Sequence, residues 1–283
     1  MVLLSFSNHY SAVKERWWHS MKLFTKIGIA ALTGGIVLSS AGGIIYALNP
    51  NEFGFDLGDP ISYTKTFNND IDKIDLEIAF ANVEIVASDA FKLVAENVPE
   101  NLDWEITESE DKLLIETQNN IKEFSTNGKF NISGDIAGKY TLYVPEKDFE
   151  KIIVEVAFSK VDISSLNAET MDIEGTFGEY NLTGIECEKL IVETAFSDAS
   201  INNTVCEKTD ITCGFGNLDS ENLKITDSGD FENAFGSMNV KLDGNNYDFS
   251  KVESIGSTQT FNCPKEDVKI DISTSFGDTS FTN

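Results

Sequence analysis

The sequence predicts an all-β fold: a β-solenoid of the β-helix or β-roll kind, about 19–20 residues per turn, following one N-terminal transmembrane helix. Three observations predict it. Phenylalanine recurs at Phe158, Phe177, Phe196, Phe215 and Phe235 with spacings of 19, 19, 19 and 20, and Phe80 and Phe276 extend the series near multiples of the period. A fixed period in this range marks a repeat architecture. Apolar residues keep constant places around each phenylalanine, and residues 27–48 form an uncharged run of 22.

The chain is taken in order. Residues 1–26 form a cytoplasmic N-terminal segment. Met21-Lys22-Leu23-Phe24-Thr25-Lys26 opens like an export sequence, so residues 1–20 read as a start-site extension. Residues 27–48 are long enough, at 1.5 Å per residue, to cross the hydrocarbon core. Lys14, Arg16, Lys22 and Lys26 precede this run, which keeps the N-terminus inside and everything after Pro50 outside. A cleaved signal peptide is the competing reading, with Ser39-Ser40-Ala41 as the cleavage site. The apolar run continues through Ile44, Ile45, Tyr46 and Leu48, which favours an uncleaved anchor.

Residues 49–70 read as a linker, and 71–150 as an irregular β region that starts and caps the stack. There, Leu113-Leu114-Ile115 and Tyr140 to Pro145 read as strands. Residues 151–283 carry the regular repeats. Four residues before each phenylalanine stand Leu76, Val154, Ile173, Val192, Ile211, Phe231 and Ile272; three after stand Val83, Val161, Tyr180, Ala199, Leu218, Met238 and Thr279. Intervening positions are polar, so inward and outward faces alternate as on strands. Each turn therefore reads as two short strands and two bends. The residue after the phenylalanine is Gly178, Gly216, Gly236 or Gly277, otherwise a small residue, which suits a tight corner. Lying at that corner between inward-facing positions, the phenylalanines are expected to stack on one another in the core. A leucine-rich repeat has a similar length, but its asparagine signature is absent. The last recognised turn ends at Phe281, so it is expected to be covered by a terminal loop or to offer a docking edge.

Charge narrows the chemistry. Residues 1–50 carry four Lys/Arg against one Glu, so the chain's −26 leaves −29 for residues 51–283, which hold no Arg and no His. Such a domain repels nucleic acid, and a histidine-based triad is excluded there. Paired carboxylates of a carbohydrate-active β-helix enzyme remain an alternative. The outward column Glu155, Glu174, Glu193 stacks like charges, which points either to divalent cations or to a solvated face with lysine partners. Cys187 and Cys206 share one place in consecutive turns, leaving a disulfide or two packed free thiols open. No catalytic, cofactor or metal residue is singled out.

Ile74 to Ile78 with Val83-Glu84-Ile85, the Tyr140 to Pro145 strand, the Phe-Gly and Phe-Ser corners, and Ile270 to Asp278 together resemble the bacterial "putative adhesin" family of unknown function, membrane-anchored β-solenoid proteins. Phenylalanine stands here where a Ser/Thr-Gly corner is more usual in that family. The resemblance implies a β-solenoid outside the membrane and brings no catalytic residues. The expected function is a non-enzymatic surface binding or scaffolding module, adhesin-like or envelope-sensing. It would be anchored in lipid by residues 27–48 and act on a cell-wall polymer, another protein or a second copy of itself. A regulatory membrane subunit is a further alternative.

Overall fold

The structure, a computed structural model, describes residues 59–79, 81–100, 103–118, 138–244, 247–255, 259–262 and 268–282. The expected anchor 27–48, Met21, Phe80 and Cys263 lie outside the described residues. No helix among the described residues is long and apolar enough to cross a membrane.

Every described element is a strand. In chain order they are β1 (Pro60–Thr66), β2 (Lys73–Ala79), β3 (Asn82–Ala87), β4 (Lys92–Pro99), β5 (Asp103–Glu108), β6 (Lys112–Gln118) and β7 (Lys139–Val144). The regular turns follow: β8 (Asp148–Ala157), β9 (Lys160–Ser164), β10 (Asn167–Thr176), β11 (Glu179–Thr183), β12 (Glu186–Ala195), β13 (Asp198–Gly214), β14 (Asn217–Ala234) and β15 (Ser237–Leu242). The chain closes with β16 (Tyr247–Ile255), β17 (Gln259–Asn262), β18 (Val268–Ser275) and β19 (Asp278–Thr282).

The regular turns pair in parallel and in register. Met171 of β10 lies beside Ile152 of β8 and Leu190 of β12, and Tyr180 of β11 lies beside Val161 of β9 and Ala199 of β13. Each turn has three corners rather than the two expected. The first holds the phenylalanine. The second lies seven residues on, at Ser165, Gly184, Asn203 and Asn222, all with φ between 49° and 67°. The third is a bend inside the long strand at Glu150 and Glu169, where inward residues such as Phe149 and Ile152 stand three apart.

Both ends depart from chain order. β2 and β3 lie directly against β8 and β9, although the intervening residues supply four more strands. Those strands cover the outer side: β6 on β2 and β7 on β3 in parallel, with β4 and β5 added antiparallel. The far end repeats the device. β18 and β19 insert between β14/β15 and β16/β17, so the Phe276 turn sits on the Phe235 turn, and β16 and β17 lie beyond it. Phe276, about two periods after Phe235 in sequence, is thus one turn away in the stack. This placement corrects the docking edge expected at Phe281, because β19 is paired on both sides. Asn233 helps fix the insertion by donating to the carbonyls of Gly236 and Asp278, both at 3.2 Å.

The core runs continuously through the stack, and toward each end phenylalanines outside the repeat series join it. Phe67, Phe91 and Phe149 meet edge to face at one end, and Phe231, Phe249 and Phe281 at the other. Within a turn, the residues two before and three after the corner share one space, and their sizes compensate. Tyr180 is fully buried opposite Gly175, and an added Cβ at Gly175 would fall on the Tyr180 ring. Gly175→Ala is therefore expected to lower stability by about 1–3 kcal/mol through overpacking. Gly175→Ala combined with Tyr180→Phe should recover little, since the ring itself is the obstacle. Thermal unfolding of the three chains checks both outcomes.

Candidate functional site

Six repeat phenylalanines form a ladder, but on the outside. Phe158, Phe177, Phe196, Phe215, Phe235 and Phe276 are 40–57 % exposed, with centroids 4.7–5.2 Å apart and planes within 4–16° of parallel. The expectation that these rings form the core is corrected; the ring-on-ring stacking holds. The cause is the backbone. Each of the six has φ between 54° and 57°, the left-handed region, which interrupts the strand alternation and turns the side chain out to solvent. The small residue that follows has a different job from a special φ. A Cβ on Gly216 or Gly236 would strike the carbonyl oxygen of the preceding turn, so close approach is what demands glycine there. Where serine stands instead, its hydroxyl is used: Ser197 donates to the Ala195 carbonyl and accepts from the Gly178 N–H.

Phenylalanine is a poor residue for this backbone. A left-handed conformation costs a side chain with a Cβ roughly 1–2 kcal/mol, while a stacked aromatic pair contributes about 0.5–1.5 kcal/mol. Five pairs among six residues thus roughly offset the strain without exceeding it. The second corner shows what the fold accepts under the same constraint: Ser165, Gly184, Asn203 and Asn222. Asn203 and Asn222 even continue their own ladder by a 2.9 Å side-chain hydrogen bond. The corner conformation alone therefore does not explain six phenylalanines. The sequence reading expected a second bend in each turn without placing it, although Asn203 and Asn222 repeat there at the 19-residue period.

The stacking also limits what the rings can bind. Between neighbours, both faces of a ring are covered, so the row presents ring edges. Sugar rings, which stack on aromatic faces, find no platform along it. One flank carries Lys160, Glu179, Asp198, Asn217, Ser237 and Asp278, two residues after each phenylalanine. The other carries Glu155, Glu174 and Glu193 three residues before.

The acidic column is longer than expected. Glu116, Glu77, Glu155, Glu174 and Glu193 lie side by side on β6, β2, β8, β10 and β12. Beside it lysines pair with a neighbouring aspartate column: Lys112 with Asp75 at 2.8 Å and Lys151 with Asp172 at 3.4 Å. Among the described residues no group of three His, Cys, Asp or Glu is arranged to hold a metal ion. Glu77, Glu155 and Glu174 are all held above the ordinary carboxylate range. Desolvation is the first cause for each, and neighbouring carboxylates follow: Asp75 for Glu77, Glu174 for Glu155, and Asp172 for Glu174.

A carboxyl whose folded pKa is raised stabilises the fold below its unfolded pKa of about 4.3, and that stability is lost as pH rises through the folded value. Glu174→Gln should therefore raise the melting temperature at pH 7. The gain should shrink toward zero near pH 4, where the native carboxyl is itself protonated. Melting curves of both chains across that range check this.

The match to known families decides the assignment. The family model Toastrack DUF4097 covers residues 71–283. The chain belongs to this family. None of the curated proteins matches it. Among solved structures, a "putative adhesin" from Bacteroides fragilis is 14 % identical, with a TM-score of 0.42 over 78 % of this chain and 96 % of its own. A "putative cell adhesion protein" from Clostridium sporogenes is 13 % identical, with a TM-score of 0.37 over 79 % and 99 %. A "putative adhesin" from Parabacteroides distasonis is 11 % identical, with a TM-score of 0.40 over 79 % and 97 %. These scores are low, so the assignment rests on the match over residues 71–283.

Two shallow depressions lie on the Toastrack domain away from the phenylalanine row. One, of about 520 Å³, is lined by Glu146, Lys147, Asp148 and Asn167 among others; the second, of about 450 Å³, by Glu169, Glu186, Glu188 and Glu207 among others. Neither has an aromatic side chain in its lining. Cys187 and Cys206 lie in register on β12 and β13, as the spacing predicts, and both are buried free thiols, as is Cys213. Burial pushes the Cys187 thiol up to about 12 and raises Cys206 and Cys213 as well. Since the thiolate is the reactive form, these three cysteines should resist a thiol reagent at pH 8 in the native chain and react fully in guanidinium. A non-reducing peptide map should show no Cys187–Cys206 bridge.

Proposed function

We propose that this Toastrack protein is a surface binding module: an acidic β-solenoid held outside the cytoplasm by an uncleaved anchor at residues 27–48, engaging its partner by docking rather than by catalysis. The phenylalanine row carries the reading. Six large apolar side chains stand exposed on a domain of charge −29, at a corner where asparagine or serine would serve the fold. Contiguous exposed apolar surface on a soluble domain marks an interaction site. Wall polymers and envelope proteins are the partners such a module would meet. An enzyme acting on sugars would gain nothing from rings whose faces are already covered.

Two measurements test the reading. Protease added to intact cells should digest the chain after residue 50 while leaving it membrane-bound through the anchor; protection from protease would refute the placement. The double variant Phe196→Asn/Phe215→Asn should stay within about 1 kcal/mol of the parent in stability, since strain relief and lost stacking nearly cancel. It should also lose most of the covalent crosslinking that the parent shows to envelope components. A large loss of stability, or unchanged crosslinking, would make the ladder a structural device only.

A further inference from the structure

The geometry points to a metal site independent of the phenylalanine row: Cys187 and Cys206 together hold one soft monovalent cation, Cu(I), between their two sulfurs.

Strand register builds the pair. Cys187 of β12 lies directly beside Cys206 of β13, in parallel and in step, so both side chains leave neighbouring strands in the same direction. Both face inward, at 8 % and 1 % exposure. Their column holds exactly two adjacent thiols, since Ala168 precedes the pair and Ile225 follows it. Neighbouring strands keep two such Cβ atoms about 4.8 Å apart. A disulfide needs them at about 3.5–4.5 Å, so the backbone would have to close up to form one. An ion shared by two thiolates asks for a sulfur separation of about 4.6 Å, twice a metal–sulfur bond of about 2.3 Å. The column spacing therefore suits a bridging ion better than a covalent bridge.

The pair is also reachable from solvent. Both cysteines line the depression of about 450 Å³, together with Glu186, Glu188 and Glu207. Those carboxylates draw cations toward its mouth. They do not complete a cage: among the described residues no three His, Cys, Asp or Glu side chains are grouped to hold an ion. The ligand count then selects the metal. Calcium takes six to eight oxygens, and zinc takes four ligands in a structural site. Soft thiolates favour Cu(I), which two sulfurs in line satisfy.

One Cu(I) displaces the protons of both thiols. Two sulfur–hydrogen bonds break, two copper–sulfur bonds form, two protons go to solvent, and no electron is transferred. One of those protons is the one that Cys206 now donates to the Lys224 carbonyl at 3.8 Å. The bound unit carries one net negative charge. Thr209, at the next inward position after Cys206 in the same turn, has a buried hydroxyl with no hydrogen-bond partner. It supplies this part of the core with an unused O–H donor, and hydrogen bonds to an ionised acceptor are the strong ones.

The test titrates the full chain, reduced and oxygen-free in detergent micelles, with Cu(I) alone against a colorimetric Cu(I) chelator. The parent should take up one Cu(I) with an ultraviolet sulfur-to-copper absorption band. Zn(II) and Ca(II) at equal concentration should not displace it. Cys187→Ser and Cys206→Ser should each weaken binding by more than about a hundredfold, beyond what the loss of an outer-shell partner costs. Cys213→Ser, which removes a thiol from a different column, should leave binding unchanged. Melting curves of the metal-free chains check that each variant is folded. X-ray absorption of the copper-loaded parent needs no variant and should find two sulfur neighbours and no nitrogen.

Tight binding that survives in either Cys187→Ser or Cys206→Ser overturns the inference, as does equal loss in Cys213→Ser or a nitrogen neighbour in the parent spectrum. A Cys187–Cys206 disulfide forming readily in air overturns it too, because the column would then accommodate the covalent bridge. None of these outcomes touches the docking reading, since the phenylalanine row shares no residue with the pair.

Discussion

Met171 lies between Ile152 and Leu190, Cys187 beside Cys206, and Glu174 between Glu155 and Glu193. Parallel, in-register pairing at one strand spacing produces all three. It is the constraint on which the rest depends, because it turns each sequence position into a column of like residues about 4.8 Å apart. What a column does then follows from its side chain. Apolar columns inside become a continuous core. Asparagines bond one another, as Asn222 does with Asn203. Glutamates are partly desolvated by packing side by side, and Glu77, Glu155 and Glu174 hold their protons more tightly for that burial first and for neighbouring carboxylates second. Phenylalanines stack.

The same constraint creates an end problem, since the first and last turns would leave whole strands unpaired. At both ends the chain inserts a regular turn out of order and lays an intervening segment over it. β2/β3 and β18/β19 are the inserted turns; β6/β7 and β16/β17 cover them. Toward the two ends aromatic residues meet edge to face inside the core, Phe67 with Phe91 and Phe231 with Phe281. Placing late strands inside the stack ties the two sides of the described domain by contacts distant in sequence. Lys73 of β2, for example, reaches both Asp111 at 2.9 Å and Glu150 at 3.0 Å.

Much of this was legible in the residues. The period, the inward columns from Val154 to Ile272 and from Val161 to Thr279, the outward glutamates and the pairing of Cys187 with Cys206 were all readable, because each depends only on spacing. The candidate site was half legible. The row of phenylalanines was plain; its side of the wall was not. Alternation places a residue only while the chain stays extended, and a left-handed φ at each phenylalanine breaks the count at that residue. The glycine beside it drew attention to the right corner for a different reason: it admits the neighbouring carbonyl rather than supplying the unusual φ itself.

The sequence by itself determined that this chain is a stack of 19–20-residue β turns with a strongly acidic exterior, since a repeated pattern can be read one turn at a time. Only the tertiary structure decided which turn lies on which at the ends, because strand order depends on where distant segments pair. It alone decided that the phenylalanines face solvent, because a side chain's direction at a corner is set by one backbone dihedral. Those two decisions together cover the Phe276 turn and set a row of exposed rings along the side, and so move the candidate docking surface from the final turn to the row of phenylalanines.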